Sequence, residues 1–218
     1  MVPIISFAGK SNTGKTLLIE KLLVELKNRG VRASVLKCTK HHFEVDMEGK
    51  DTWRHSQAGA MEVGILTPDK AAVFINETPE SIEEFVFNYF TGSDLIIVEG
   101  GKESNIPKFW LLESKEDIPD CPDELLLGTV GDFEYFGKSQ HFRRDDIEKI
   151  ANKIQGEFFE YESRGGAKVW IDGKPLLMKP FIQSFVRKTI LGMLSSLKGA
   201  KKGNLIQIKI GRSINDDE

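Results

Sequence analysis

Eight consecutive residues constrain the fold of this chain more than any other feature. Gly9-Lys10-Ser11-Asn12-Thr13-Gly14-Lys15-Thr16 fits the phosphate-loop pattern G-x-x-x-x-G-K-[ST] at every fixed position. The flanking sequence is of the right kind. Val2, Ile4, Ile5, Phe7 and Ala8 read as a buried-type strand, and Leu17, Leu18, Leu22, Leu23 and Leu26 fall on one face of a following helix. Glycines let the backbone turn tightly, so that successive N–H groups and the positive end of the helix face phosphate oxygens. Contacts to the phosphates of a nucleoside triphosphate are therefore expected from Gly9, Lys10, Ser11, Asn12, Thr13, Gly14, Lys15 and Thr16. Lys15 is expected to reach the β- and γ-phosphates, and the Thr16 hydroxyl to ligate Mg²⁺.

Beyond the loop, strand and helix patterns alternate. Gly30, with Lys27 and Arg29 before it, ends the first helix. Val31–Lys37, Leu95–Val98, Phe109–Leu112 and Leu125–Val130 read as strands, and Leu95–Val98 is the continuous apolar run of a strand buried on both faces. Pro79–Phe90, capped by Thr78, and Asp145–Phe158 read as helices. Ala58–Leu66 and Ala71–Asn76 read as short strands joined by the turn Thr67-Pro68-Asp69-Lys70. Residues 38–56 are polar and aperiodic, which suggests a loop or short hairpin over the nucleotide. The expected fold class is α/β, a doubly wound and mostly parallel sheet of P-loop NTPase type.

The formal net charge of −3 hides a reversal along the chain. Residues 1–164 balance to −9, whereas residues 165–212 hold ten Lys and Arg against one acid, Asp172. This divides the chain into a nucleotide-binding domain, 1–164, and a small basic α+β unit, 165–218. In the latter, Lys168–Ile171 and Leu176–Met178 flank Asp172-Gly173 as a hairpin. Pro180–Leu197 follows as a helix burying Ile182, Phe185, Val186, Ile190, Met193, Leu194 and Leu197, and Leu205–Ile210 as a last strand. Roughly 50 residues supply too little core for independence, so docking is expected. The basic surface suits an anionic ligand or partner as well as it suits a solvated lysine-rich face; nucleic acid is the less favoured partner. Cys38 and Cys121 make no disulfide framework, no apolar run approaches ~20 residues, and no leader pattern precedes the first strand. A cytoplasmic protein without membrane attachment is expected.

Asp94-Leu95-Ile96-Ile97-Val98-Glu99-Gly100-Gly101 carries the second motif. An acid at the carboxyl end of such a strand lies beside the metal and the γ-phosphate, so Glu99 takes that role and Asp94 lies at the far edge of the sheet. The polar segment after Val31–Lys37 supplies two more carboxylates, Asp46 and Asp51, as candidates for the Mg²⁺ shell. Cys38, His41, His42 and His55 can also be read as a soft-metal cluster. Cys-x-x-His without a second close pair supports structural zinc weakly.

The phosphate loop within Ile4–Thr16, the stretch from Lys37 through His41, Asp46 and Gly49-Lys50-Asp51 to Ala58-Gly59-Ala60, and Val98-Glu99-Gly100 with Lys102 together resemble the molybdopterin-guanine dinucleotide biosynthesis protein MobB family. The resemblance covers residues 1 to about 160 and rests mainly on the middle stretch, since a phosphate loop alone fits many families. It implies a GTP-binding protein and weak GTPase that assists attachment of GMP to molybdopterin, with a MobA-type nucleotidyltransferase as partner. It also implies Asp46, Asp51 and Glu99 around the metal, and a homodimer sharing a sheet near residues 58–76. Cys38 replaces a histidine usual in the family and Gly101 an aromatic; the C-terminal unit lies outside the bacterial core pattern.

Guanine selectivity has a fainter trace. The Asn-Lys-x-Asp signature is absent, but Ser114-Lys115-Glu116-Asp117 follows a strand, and Asp117 there can accept from guanine N1 and N2 hydrogens; a plain acidic turn fits the same residues. Catalytic roles fall to Lys15, neutralising developing phosphate charge, and Glu99. No residue stands out as a strong general base, which fits slow turnover. A P-loop small-molecule kinase or ligase, and a metallochaperone-type NTPase using Cys38, are the alternatives.

Overall fold

Long apolar runs without alternation become strands buried on both faces. The computed structural model describes residues 2–40, 46–90, 92–134, 137, 139–159, 167, 169–171, 174–176, 178 and 180–197. In it β1 (Ile4–Gly9) leads through the phosphate loop into α1 (Lys15–Asn28), followed by β2 (Ala33–Lys37), α2 (Asp51–Gln57), β3 (Glu62–Leu66) and β4 (Ala71–Ile75). Then come α3 (Ile82–Tyr89), β5 (Leu95–Glu99), β6 (Lys108–Leu111), β7 (Leu126–Val130), β8 (His141–Phe142) and α4 (Ile147–Phe158). The last elements are β9 (Val169–Ile171), β10 (Lys174–Leu176) and α5 (Pro180–Ser195). The chain divides into two compact units, Met1–Glu160 and Tyr161–Glu218.

Six strands of the first unit form one sheet in the order β2-β5-β1-β6-β7-β8, with every neighbouring pair parallel. Side chains alternate across it. One face presents Ile5, Phe7, Leu95, Ile97, Phe109 and Leu111 to Leu18, Leu22 and Leu26 of α1 and to Ile150, Ala151 and Ile154 of α4. The opposite face sets Ile4, Ile96 and Val98 against Val86 of α3. Helices on both faces make this a doubly wound α/β sheet. Phe7 stacks on Phe109 with ring centroids 5.2 Å apart, and Phe109 meets Phe142 edge-on at 5.8 Å. Each fully buried Leu, Ile or Phe contributes about 1.5–3 kcal/mol by removal from water. From β1 the chain passes to one side of the sheet for β2 and β5 and later to the other for β6. Strand order therefore reverses at β1, and the carboxyl ends of β1, β5 and β6 border the crevice where ligands of such sheets sit.

Several expectations shift in detail. The polar segment after β2 is not all loop: Asp51–Gln57 is helical, so residues 58–61 lie outside strand and β3 starts at Glu62. The helix expected from Pro79 starts at Ile82, because Ser81 rather than Thr78 caps it. Ser81 Oγ accepts from the Glu84 N–H at 3.1 Å, while Glu84 Oε2 accepts from the Glu80 N–H at 2.9 Å. Leu17 is 57% exposed and Ile19, two residues on, takes its place in the core. Strand β8 is too short to leave a periodic signal. In the second unit β9 and β10 pair antiparallel, and the Gln183 side chain donates to Met178 O at 2.9 Å. Phe185 and Met193 of α5, and Leu197 beyond its end, expected to be buried, are exposed, since so small a unit has few residues to cover a helix face. The strand expected at Leu205–Ile210 lies outside the described residues. Among the described residues no helix is long and apolar enough to cross a membrane.

Candidate functional site

The phosphate loop begins where β1 runs against β6. Gly9 has φ 137°, and a Cβ there would lie 2.5 Å from Leu111 O, so a side chain would push the two strands apart. Asn12 (φ 62°) and Gly14 (φ 82°) complete the turn. Thr13 is buried, its hydroxyl donating to Lys10 O at 3.0 Å. Helix α1 then starts with neither a side-chain cap nor an acidic residue in its first turn. Its leading N–H groups and positive dipole end are left for an anion. Lys15 folds back over the loop, and its ammonium donates to Gly9 O (3.2 Å), Thr13 Oγ1 (3.3 Å) and Lys10 O. Burial pulls the Lys15 pKa below that of an ordinary lysine; Glu99 opposes the shift and Lys37 adds to it. Negative charge in the loop would restore what burial removes.

Glu99 closes the site from the neighbouring strand. At the carboxyl end of β5, Oε1 accepts from Thr16 Oγ1 at 2.9 Å and lies 3.5 Å from Lys37 Nζ at the end of β2. The register places Glu99 opposite Phe7 on one side and Lys37 on the other. The turn after it is as tight as that at Gly9: Gly100 has φ 97°, and a Cβ there would meet Cys38 O at 2.6 Å. Lys15, Thr16, Lys37 and Glu99 thus converge at the strand ends. Lys37 was not singled out for this role from sequence; its place at the end of the strand beside β5 is the signal that could have done so. Asp94, at the other end of β5, is paired with Arg32 at 2.7 Å.

Asp117 lies on the other flank of the loop. Its Oδ2 accepts from the Glu113 and Ser114 N–H groups at 2.8 and 3.1 Å, closing the turn after β6, and its Oδ1 takes the Lys10 ammonium at 2.8 Å. These bonds, Lys10 foremost, hold the Asp117 carboxyl below the usual carboxylate range. Acidic turn and phosphate loop are therefore joined directly.

The remaining candidates are more scattered. Asp46 Oδ1 accepts from Thr52 Oγ1 (2.8 Å) and the Met47 N–H (2.9 Å), while Oδ2 is buried without a hydrogen-bond partner among the described residues. Asp51 is exposed in the first turn of α2. Among the described residues no three His, Cys, Asp or Glu side chains gather into a metal-holding group, so Asp46, Asp51 and Glu99 do not converge here. Burial raises the Cys38 pKa, which leaves the thiol protonated at neutral pH and packed beside Ile4, Ile96 and Val98. His55 lies on α2 and, with Gly59 and Glu62, lines an open cleft of 580 Å³; His41 and His42 lie outside the described residues. At Gly101 (φ 65°) a Cβ would sit 3.3 Å from Ile82 and Val98, leaving little room for an aromatic.

Residues 4–128 match the sequence profile of a family described as molybdopterin guanine dinucleotide synthesis protein B, MobB. The match spans more than half of the chain and takes in the phosphate loop, Glu99 and Asp117. The chain belongs to the MobB family. A molybdopterin-guanine dinucleotide biosynthesis adapter protein of Haemophilus influenzae is 38% identical over 61% of this chain and 76% of its own length. An adapter protein of the same biosynthesis from Methanocaldococcus jannaschii is 29% identical and aligns over 95% of this chain and 97% of its own. That alignment carries the similarity past the family's matched region into the C-terminal unit. A crystal structure of a molybdopterin-guanine biosynthesis protein B superposes with a TM-score of 0.58 at 28% identity, covering 72% of this chain and 99% of that one.

Proposed function

We propose that this MobB-family protein binds GTP as its Mg²⁺ complex and acts as an adapter, with slow GTPase activity, in attaching GMP to molybdopterin. The observation that carries the reading is the uncapped start of α1, with Lys15, Thr16 and Glu99 gathered beside it. Backbone N–H groups from Gly9 to Thr16 take the phosphates, and Lys15 exchanges its three loop acceptors for phosphate oxygens. A bound Mg²⁺ would be held by Thr16 and Glu99 and would neutralise phosphate charge; Asp46 and Asp51 are the further candidates for its shell. Asp117 releases Lys10 toward the phosphates and turns its freed oxygen to the guanine N1 and N2 hydrogens.

Hydrolysis is slow because among the described residues no free base faces the loop: Glu99 is committed to Thr16 and Lys37. Among the described residues the β3–β4 hairpin pairs only with itself, and it exposes Ile65, Leu66 and Val73, which supports a homodimer formed through it. A MobA-type nucleotidyltransferase is the proposed catalytic partner, acting in the cytoplasm. The test is reconstitution of guanine dinucleotide cofactor from molybdopterin, GTP and such an enzyme. Added protein is expected to raise the yield and a Lys15→Met variant to leave it unchanged. Equal yields with and without the wild-type protein would contradict the adapter reading.

A further inference from the structure

Among the described residues Lys108 is the only charged side chain that is buried, with 0% exposure in β6. Its ammonium donates to Lys102 O at 3.1 Å and Ser104 O at 2.6 Å; burial lowers its pKa, and the nearby Cys121 thiol opposes the shift. The residue opposite it across the β1–β6 pairing is Ser6, also fully buried, whose hydroxyl donates to Gly100 O at 2.6 Å. Two neighbouring polar side chains in the sheet thus hold three carbonyls of one short segment, the one that leaves Glu99. Gly100 N–H to Phe7 O (3.0 Å) and Ser104 Oγ to Gly101 O (2.6 Å) tighten the same segment. Its Glu103 also reaches Lys40, beyond β2, at 2.7 Å.

A buried ammonium without a carboxylate partner costs stability, and an apolar side chain of similar length would pack in its place as well or better. A lysine at this position therefore points to positioning rather than to fold stability. We propose that Lys108, assisted by Ser6, is a latch that positions Glu99. By holding the carbonyls of residues 100, 102 and 104 it sets the path of the backbone out of β5, and with it the approach of the Glu99 carboxylate to Thr16 and Lys37. Lys108 touches neither nucleotide nor metal; it acts through Glu99. This inference rests on the nucleotide-binding reading above.

The test uses the full chain and two variants, Lys108→Met and the milder Ser6→Ala. Three quantities are read: thermal midpoint, amide hydrogen exchange over residues 99–106, and calorimetric affinity for GTP with Mg²⁺ and with EDTA in its place. Lys108→Met is expected to keep or raise the midpoint and to speed exchange in that segment. It is also expected to weaken Mg²⁺-dependent GTP binding about tenfold, as loss of an outer-sphere partner does, with EDTA-condition affinity unchanged. Ser6→Ala is expected to move exchange and Mg²⁺-dependent affinity in the same directions by less, and it decides the matter if Lys108→Met does not fold. A folded variant with wild-type exchange and wild-type Mg²⁺ dependence overturns the latch. So does an equal loss of affinity with and without Mg²⁺, which would make Lys108 a packing residue. Wild-type protein that binds no GTP overturns the functional reading instead, an outcome the Mg²⁺ comparison keeps separate.

Discussion

Lys15 is held over the loop by three oxygens, which the proposed phosphate would replace. A Lys15→Met variant should therefore lose nucleotide affinity by about a hundredfold, roughly 2.8 kcal/mol, the scale of charge-assisted hydrogen bonds. Its denaturation midpoint should not fall. Burial lowers the Lys15 pKa, so the charged form costs the folded state stability at every pH below that lowered value, and methionine removes the cost. Paired calorimetry and urea titration check both halves. Asp117 carries a sharper expectation. A carboxylate accepts from guanine N1–H and N2–H, whereas an amide there offers a donor that suits the 2-oxo group of xanthine. Asp117→Asn should weaken GTP and strengthen xanthosine triphosphate in competition binding. A variant that leaves GTP binding untouched would reduce Asp117 to a turn residue anchoring Lys10.

The elements make the β3–β4 hairpin the part of the first unit most in need of a partner, with Leu66 86% and Val73 55% exposed. Leu66→Glu is expected to convert a dimer to monomer in sedimentation velocity while leaving the far-ultraviolet circular dichroism unchanged, because Leu66 makes no core contact to lose. Most elements were legible because their signals were local. An uninterrupted apolar run yields β5, and Gly30 stops α1. The misses share a physical cause, competition decided by packing or by side-chain bonds that spacing does not reveal. Thr78-Pro79 looks like a helix start, yet the bonds from the Glu84 N–H to Ser81 Oγ and from the Glu80 N–H to the Glu84 carboxylate win. Leu17 fits the α1 stripe as well as Ile19 does, and only the sheet's position chooses between them. At the site, the placement of Glu99 beside the octet could be read directly because strand ends in a parallel sheet have a fixed chemical sense. Lys37 and Lys108 could not, since their parts depend on which strands become neighbours, and that order is set by crossovers rather than by local sequence.

Across the whole molecule, four carboxylates among the described residues are held below the ordinary range: Asp94 by Arg32, Glu103 by Lys40, Asp117 by Lys10 and Asp146 by Lys149. A carboxyl whose pKa is lowered on folding contributes stability that is complete above the ordinary carboxylate range. The contribution is lost as pH falls through that range to the lowered value. The urea midpoint should therefore drop between pH 7 and pH 3, and Asp94→Asn should make the drop shallower. In each pair the basic partner is largely exposed, so each effect is small and weakens with salt. The reversal of charge between the two parts of the chain has no such local account, although similarity to the Methanocaldococcus jannaschii protein over 95% of this chain extends into the C-terminal unit. The central claim, a guanine nucleotide held with Mg²⁺ in the loop from Gly9 to Thr16, is tested most directly by titrating the full chain with GTP and with ATP in a calorimeter, with Mg²⁺ present. Saturable one-to-one binding of GTP at least tenfold tighter than ATP, about 1.4 kcal/mol, is the expected result; equal affinities or a preference for ATP would contradict it.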